Sequence, residues 1–142
     1  MQLDIAGKEK WHQYIPKQQL YSDITAYMYY SYMISKDKIT LFYNDREENI
    51  DYDMSSRKLP KRFNEMKEMT LMSVTLDAKG KISRKVFSDS MKMGTLPYIS
   101  LSQQISTNKF LLYGFQFRKK GFTYDVNSGT NKLGILTFDE KE

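Results

Sequence analysis

The chain has 142 residues, 40% of them hydrophobic, with 22 Lys and Arg set against 17 Asp and Glu for a formal net charge of +5. That length supports one domain whose core needs no cross-links, and the lack of cysteine excludes thiolate nucleophiles, Cys-ligated zinc and iron–sulfur ligation while leaving the redox compartment open. No apolar stretch approaches the ~20 residues that span a bilayer, and the first ten residues lack the apolar core of a signal peptide, so an exported form would carry its targeting segment upstream.

Aromatic residues are abundant, with 11 Tyr and 8 Phe. Tyr joins a large apolar ring to a hydroxyl that seeks a partner, which suits half-buried sheet faces and wet interfaces. Residues 1–24 read as an extended lead-in. Within it Pro16 biases Ile15 toward extended backbone and prevents a regular helix through Trp11–Gln19, which reads as extended chain or an edge strand. Trp11 is the only tryptophan and His12 the only histidine; Trp11 reads as a core or seam anchor, with a stacking platform for a sugar or base as the rival.

A first meander is predicted over 25–88. Its strands are Ala26–Ile34, Lys38–Tyr43, Met69–Asp77 and Lys81–Ser88. Ser35-Lys-Asp-Lys38 and Asp77-Ala-Lys-Gly80 supply the turns, the second with an aspartate to start it and a glycine for the left-handed position. Residues 45–68 form a long polar insertion, acidic first and basic after, which accommodates either a helix from Leu59 to Met69 or an ordered excursion. A second meander follows over 96–138, with strands Tyr98–Ile105, Lys109–Phe117, Gly121–Val126 and Lys132–Phe138. Its turns are Arg118-Lys-Lys-Gly121 and Asn127-Ser-Gly-Thr-Asn131. The fold class is therefore mainly β and antiparallel, a single domain of two four-stranded meander sheets, either like propeller blades or closed as a barrel or sandwich.

The segments Ile15-Pro-Lys-Gln-Gln19, Ile39-Thr-Leu-Phe-Tyr-Asn-Asp45 with Asn49, the Leu-Asp-x-x-Gly turn at 76–80, Lys109-Phe-Leu-Leu-Tyr-Gly114 and Leu133-Gly-Ile-Leu-Thr-Phe138 together resemble the C-terminal region of large, uncharacterised, exported propeller-like proteins of Bacteroidetes. The resemblance runs from about Trp11 onward. It implies a propeller-like fold and a periplasmic or cell-surface location, and it carries no reaction. Two four-stranded units do not close a propeller ring, so the chain is expected to curl its sheets into another closed arrangement, to associate with copies of itself, or to be a piece of something longer.

Chemistry-bearing patterns are sparse. Asp45, Glu47, Glu48, Asp51 and Asp53 crowd together, but without the turn glycine and aspartate spacing of an EF-hand they read as a solvated acidic loop. His12 has no Gly-x-Ser-x-Gly elbow to serve. No catalytic residue, metal ligand or cofactor site is assigned. Two functional classes remain. The first is a non-enzymatic module, binding a protein partner, itself or a glycan through Trp11, Tyr27, Tyr29, Tyr30 and Tyr32, or serving a structural role. The alternative is nucleic-acid or anionic-surface binding through Arg57, Lys58, Lys61 and Arg62 with Arg118, Lys119 and Lys120. Nucleic acid is the less favoured partner, because these basic groups sit in the polar insertion and at a predicted turn, where charge serves solubility.

Overall fold

Alternation is the first thing the backbone confirms: along residues 30–34, Tyr30, Tyr32 and Ile34 are exposed while Met33 between them is buried, the period of a strand with one wet side. The structure is a computed structural model. It describes residues 1–18, 29–62, 68–89, 95–120 and 123–138, with backbone alone at 88–89, 117–120 and 123–128. In chain order the strands are β1 (Gln2–Leu3), β2 (Glu9–Trp11), β3 (Tyr30–Ser35), β4 (Lys38–Asp45), β5 (Thr70–Leu76), β6 (Ile82–Asp89), β7 (Leu96–Pro97), β8 (Gln103–Ser106), β9 (Lys109–Lys120) and β10 (Thr123–Thr137).

The first sheet is the expected meander, four antiparallel strands in the order β3-β4-β5-β6. Both turns follow their residues. Lys36, at φ 52°, supplies the left-handed position between β3 and β4. Between β5 and β6, Asp77 Oδ1 accepts from the amides of Lys79 and Lys81 at 2.8 and 2.9 Å, and Gly80 adopts φ 80°. At the N-terminus the same device recurs: Asp4 Oδ1 accepts from the amides of Ala6 and Lys8, each at 2.9 Å, and Gly7 adopts φ 79°, which pairs β1 with β2. A small hairpin therefore stands within the stretch that reads as an extended lead-in.

The second sheet has four strands, as expected, but not the expected meander. β7 and β8 both pair with β9, and β10 pairs along the other side of β9. The predicted strands Gly121–Val126 and Lys132–Phe138 are parts of one strand, β10, and Asn127–Asn131 is no hairpin turn. The register instead jumps between Asp125 and Gly129, leaving residues 126–128 as a bulge. Gly129 permits it, because a Cβ there would lie 2.3 Å from the Gln116 carbonyl oxygen and 2.6 Å from the Phe115 ring.

The predicted strand Tyr98–Ile105 begins only at Gln103, in β8; its first half is instead a 3-10 turn at Ile99–Leu101, which follows β7. Ser102 causes the break. Its hydroxyl donates to the Tyr98 carbonyl at 2.9 Å and accepts from the Tyr113 amide at 3.0 Å, substituting side-chain bonds for ladder bonds. In the long insertion, residues 59–62 are not helical, so the helix from Leu59 does not start where the periodicity allowed; residues 63–67 lie outside the description.

The two sheets meet through a core of Met33, Phe42 and Leu71 from the first with Ile99 and Phe110 from the second, flanked by Phe87, Leu112, Leu136 and Phe138. Phe42 is at its centre. Its ring lies 4.3 Å from that of Phe110, 5.9 Å from Phe87 and 5.8 Å from Phe138. Among the described residues neither sheet closes on itself, so propeller and barrel closure are not seen. Along their shared seam, Asn44 Nδ2 donates to the Pro97 carbonyl at 2.9 Å, and the Gln104 amide serves both the N–H and the C=O of Ile34 at 2.9 and 2.7 Å. Gln104 thereby acts as a surrogate strand for the β3 edge.

Removing the Phe42 ring opens a cavity that the four other buried side chains of the core cannot all collapse into. Phe42→Ala is expected to lower unfolding free energy by about 3–5 kcal/mol, and Ile39→Ala, on the wet face of the same strand, by no more than about 0.5 kcal/mol. Urea unfolding followed by circular dichroism measures both; equal effects would mean the sheets are not joined through Phe42.

Candidate functional site

The face of the first sheet opposite the core is divided in two. One half is covered: Tyr43, Met72 and Val74 are buried there, with Ile15, Ile50, Leu76, Ile82 and Val86 packed on them. Ile15 arrives on the lead-in, fixed by the buried Pro16, and Ile50 on the insertion. The other half is bare. Tyr30 is 69% exposed, Tyr32 56%, Ile34 51% and Ile39 44%, and all four side chains share this face by strand parity.

The bare row runs into a groove of about 340 Å³ where Ile34 and Ile39 meet Trp11, Leu76 and Met1. Trp11 forms its wall because the hairpin β1–β2 leans on the β5–β6 turn: the indole Nε1 donates to the Ala78 carbonyl at 3.3 Å, and Gln13 donates to the Gly80 carbonyl at 3.0 Å. Gly80 cannot carry a side chain here, since a Cβ would lie 2.7 Å from the indole ring. Trp11 and the β3 row are thus brought to one face. Tyr29 is exposed immediately before β3, and Tyr27 lies outside the described residues. His12 is exposed, pairing with Glu9 and meeting the Tyr14 ring edge-on.

The insertion is ordered by side chains that imitate backbone. Asn49 accepts from the Lys61 amide at 2.8 Å and donates to its carbonyl at 2.6 Å, while Arg84 on β6 donates to the carbonyls of Ile50 and Tyr52. Arg57, Lys58, Lys61 and Arg62 are all exposed on this insertion. Lys61 Nζ sits 3.6 Å from Glu48, which offsets part of the basic field. The side chains of Arg118, Lys119 and Lys120 lie outside the description, and their backbone belongs to β9 rather than to a loop. Among the described residues, no three His, Asp or Glu side chains group as a cation site. Glu48 is committed to Arg46, whose guanidinium bonds hold its carboxyl down at about 2.

Sequence reasoning missed a buried polar cluster under the covered half. Asp45, which by sequence belongs to a solvated acidic run, closes β4 and is fully buried. Its Oδ1 accepts from the Arg46 amide at 2.8 Å and from Asn49 Nδ2 at 2.9 Å, whereas Oδ2 has no hydrogen-bond partner among the described residues. Burial raises its carboxyl above the ordinary value. Lys17 stands beside it, its ammonium 5.3 Å from the centre of the Tyr43 ring. Burial lowers Lys17 from 10.5 to about 8 even though the Asp45 charge opposes the change, and burial pushes Tyr43 up to about 12. The extended segment that carries Trp11, Pro16 and Lys17 was the available signal, but Asp45, which it meets, is remote in sequence.

No family model, curated protein or solved structure matches the chain.

Lys17 gives a signed pH dependence. Between about 8 and 10.5 the unfolded chain keeps the Lys17 proton that the folded chain has released, so stability rises with pH across that window. Lys17→Met is expected to remove this rise, as read from urea midpoints of the two proteins compared pH by pH; parallel profiles would show the ammonium to be solvated. Gly80→Ala is expected to displace Trp11, shifting the single-tryptophan emission to the red while the far-ultraviolet circular dichroism stays unchanged. An unshifted spectrum would mean that the indole does not rest on the turn.

Proposed function

We propose that the chain is a non-enzymatic β module that binds a protein or glycan partner on the bare half of its first sheet, through Tyr30, Tyr32, Ile34 and Ile39 with Trp11 at the rim. One observation carries the reading: four large side chains stand more than two-fifths exposed in one row, and the row leads into a preformed groove. Contiguous apolar surface of this kind, framed by polar residues, is costly to leave wet and marks contact sites. Tyr supplies stacking area with little conformational entropy to lose and a hydroxyl for polar partners. The groove is open and its charged rim, Lys36, Asp37 and Lys38, carries both signs, which suits a neutral or mixed-charge ligand better than a polyanion. A location in the cell envelope, drawn from the resemblance to exported propeller-like proteins, agrees with such a role.

Binding to a glycan panel and to a displayed peptide library tests this reading. Tyr30→Ala and Tyr32→Ala are exposed changes that leave the core intact, and each is expected to weaken a true ligand by about 30-fold, the loss of roughly 2 kcal/mol at a contact centre. Ligands that bind both variants as tightly as the parent chain would overturn it. So would tight binding to a generic polyanion that falls steeply with added salt, which is the signature of the basic groups.

A further inference from the structure

Exposed sheet edges are templates for further strands, and proteins ordinarily guard them with charge, proline or bulges. The two outer edges of this fold are treated differently. β6 ends the first sheet and carries Arg84 and Lys85, with Lys81 just before it. β10 ends the second sheet, and among the described residues nothing pairs with its outer side. From 130 to 137 every residue of β10 except the half-buried Leu136 is exposed, and the run Leu133-Gly-Ile-Leu136 contains no charge. Leu133 is 68% exposed and Ile135 58%. On the same outer face lie Tyr113, opposite Leu133, and Leu111, opposite Ile135.

We propose that two copies of this chain join through antiparallel pairing of their β10 edges about a two-fold axis at Gly134. The sequence around this position is self-complementary. With Gly134 opposite its own copy, Leu133 faces Ile135 of the second copy, Ile135 faces its Leu133, and Asn131 faces its Thr137. Pairing of this kind keeps odd positions opposite odd and even opposite even. The exposed apolar side chains of both copies therefore fall on one face of a continuous sheet, beside Leu111 and Tyr113 of each. Lys132 falls opposite Leu136 of the second copy, and the two Lys132 positions are four residues apart along the ladder, about 14 Å, beyond the ~8 Å screening length at physiological salt. No like charges oppose one another. The arrangement is isologous and closes after two copies, which removes the unguarded edge instead of propagating it. This surface is separate from the β3 row, so its failure would leave the proposed binding role standing.

The chain contains no cysteine, which allows a register-specific test on the full-length protein. An antiparallel pair places the Cα atoms on the axis ~4.5–5.5 Å apart, within disulfide reach, and a Cβ at Gly134 meets nothing within 4 Å. Gly134→Cys is expected to cross-link into a covalent dimer under mild oxidation. Thr137→Cys, whose two copies would stand about 20 Å apart in this register, is expected not to. Sedimentation equilibrium of the parent chain should give twice the 16.8 kDa chain mass, and Ile135→Lys should return it to one. A parent chain that stays monomeric across the concentration series overturns the proposal. So does a dimer in which Thr137→Cys cross-links as readily as Gly134→Cys, or one that survives Ile135→Lys. If Ile135→Lys does not fold, the comparison of the two cysteine variants decides alone. An edge that instead takes up extended segments of unrelated chains, with the protein itself monomeric, also counts against it.

Discussion

The stack of Phe42 on Phe110, 4.3 Å between ring centres, is the joint on which the molecule depends. It is the point at which the two sheets touch through side chains fully withdrawn from water, and it sits on β4, the strand whose last five residues are buried or nearly so. A strand buried on both sides must have a cover for each. The second sheet covers one side through Phe110, Ile99 and Leu112, and the lead-in and the insertion cover the other through Ile15 and Ile50. The core position of Phe42 and the polar cluster at Asp45 are thus consequences of one choice, the placing of β4 in the middle.

Irregular segments are held to this frame by polar side chains that stand in for strands. Gln104 satisfies both backbone groups of Ile34, Asn49 does the same for Lys61, and Ser102 links the Tyr98 carbonyl to the Tyr113 amide. Buried or edge backbone groups without partners are costly, and a carboxamide presents a donor and an acceptor with the spacing of a peptide unit. These residues explain how a chain with a long insertion and a broken strand keeps its ladders closed at the points where regular pairing stops.

The first meander was legible because its signals are local. Period-two alternation and the Asp-x-x-Gly turn lie within a few residues of each other, and the second Asp-x-x-Gly, at Asp4–Gly7, carried the same information in a segment too short and polar to read as strands. Asn127-Ser-Gly-Thr-Asn131 has turn composition, but its first two residues belong to a bulge and the rest pair with β9, because a short polar insertion around a glycine can either reverse a chain or buckle it. Which occurs depends on whether the neighbouring strand is long enough to continue the pairing, and β9 is. Ser102 broke a strand that alternation alone would have continued. The approach of Lys17 to Asp45 was illegible for another reason: each residue looks solvated in its own neighbourhood, and only the docking of the lead-in desolvates them.

Docking of the lead-in also determines which half of the outer face stays bare. Lys17 and Asp45 are held out of water at some electrostatic cost, since burial works against the charge on both, and that cost is offset by Pro16, Ile15 and Trp11 packing where they do. Had the segment followed β3 instead, it would have covered Tyr30 and Tyr32 and left Met72 and Val74 wet. The covered half is the more apolar one, so the observed path is the one hydrophobic burial favours. The tyrosines are left over because their hydroxyls make exposure tolerable. Two strands, β8 and β9, separate this row from the open β10 edge. A pair of chains joined at β10 would therefore keep both rows accessible, and two weak sites on one rigid pair would bind a repetitive partner far more tightly than either alone.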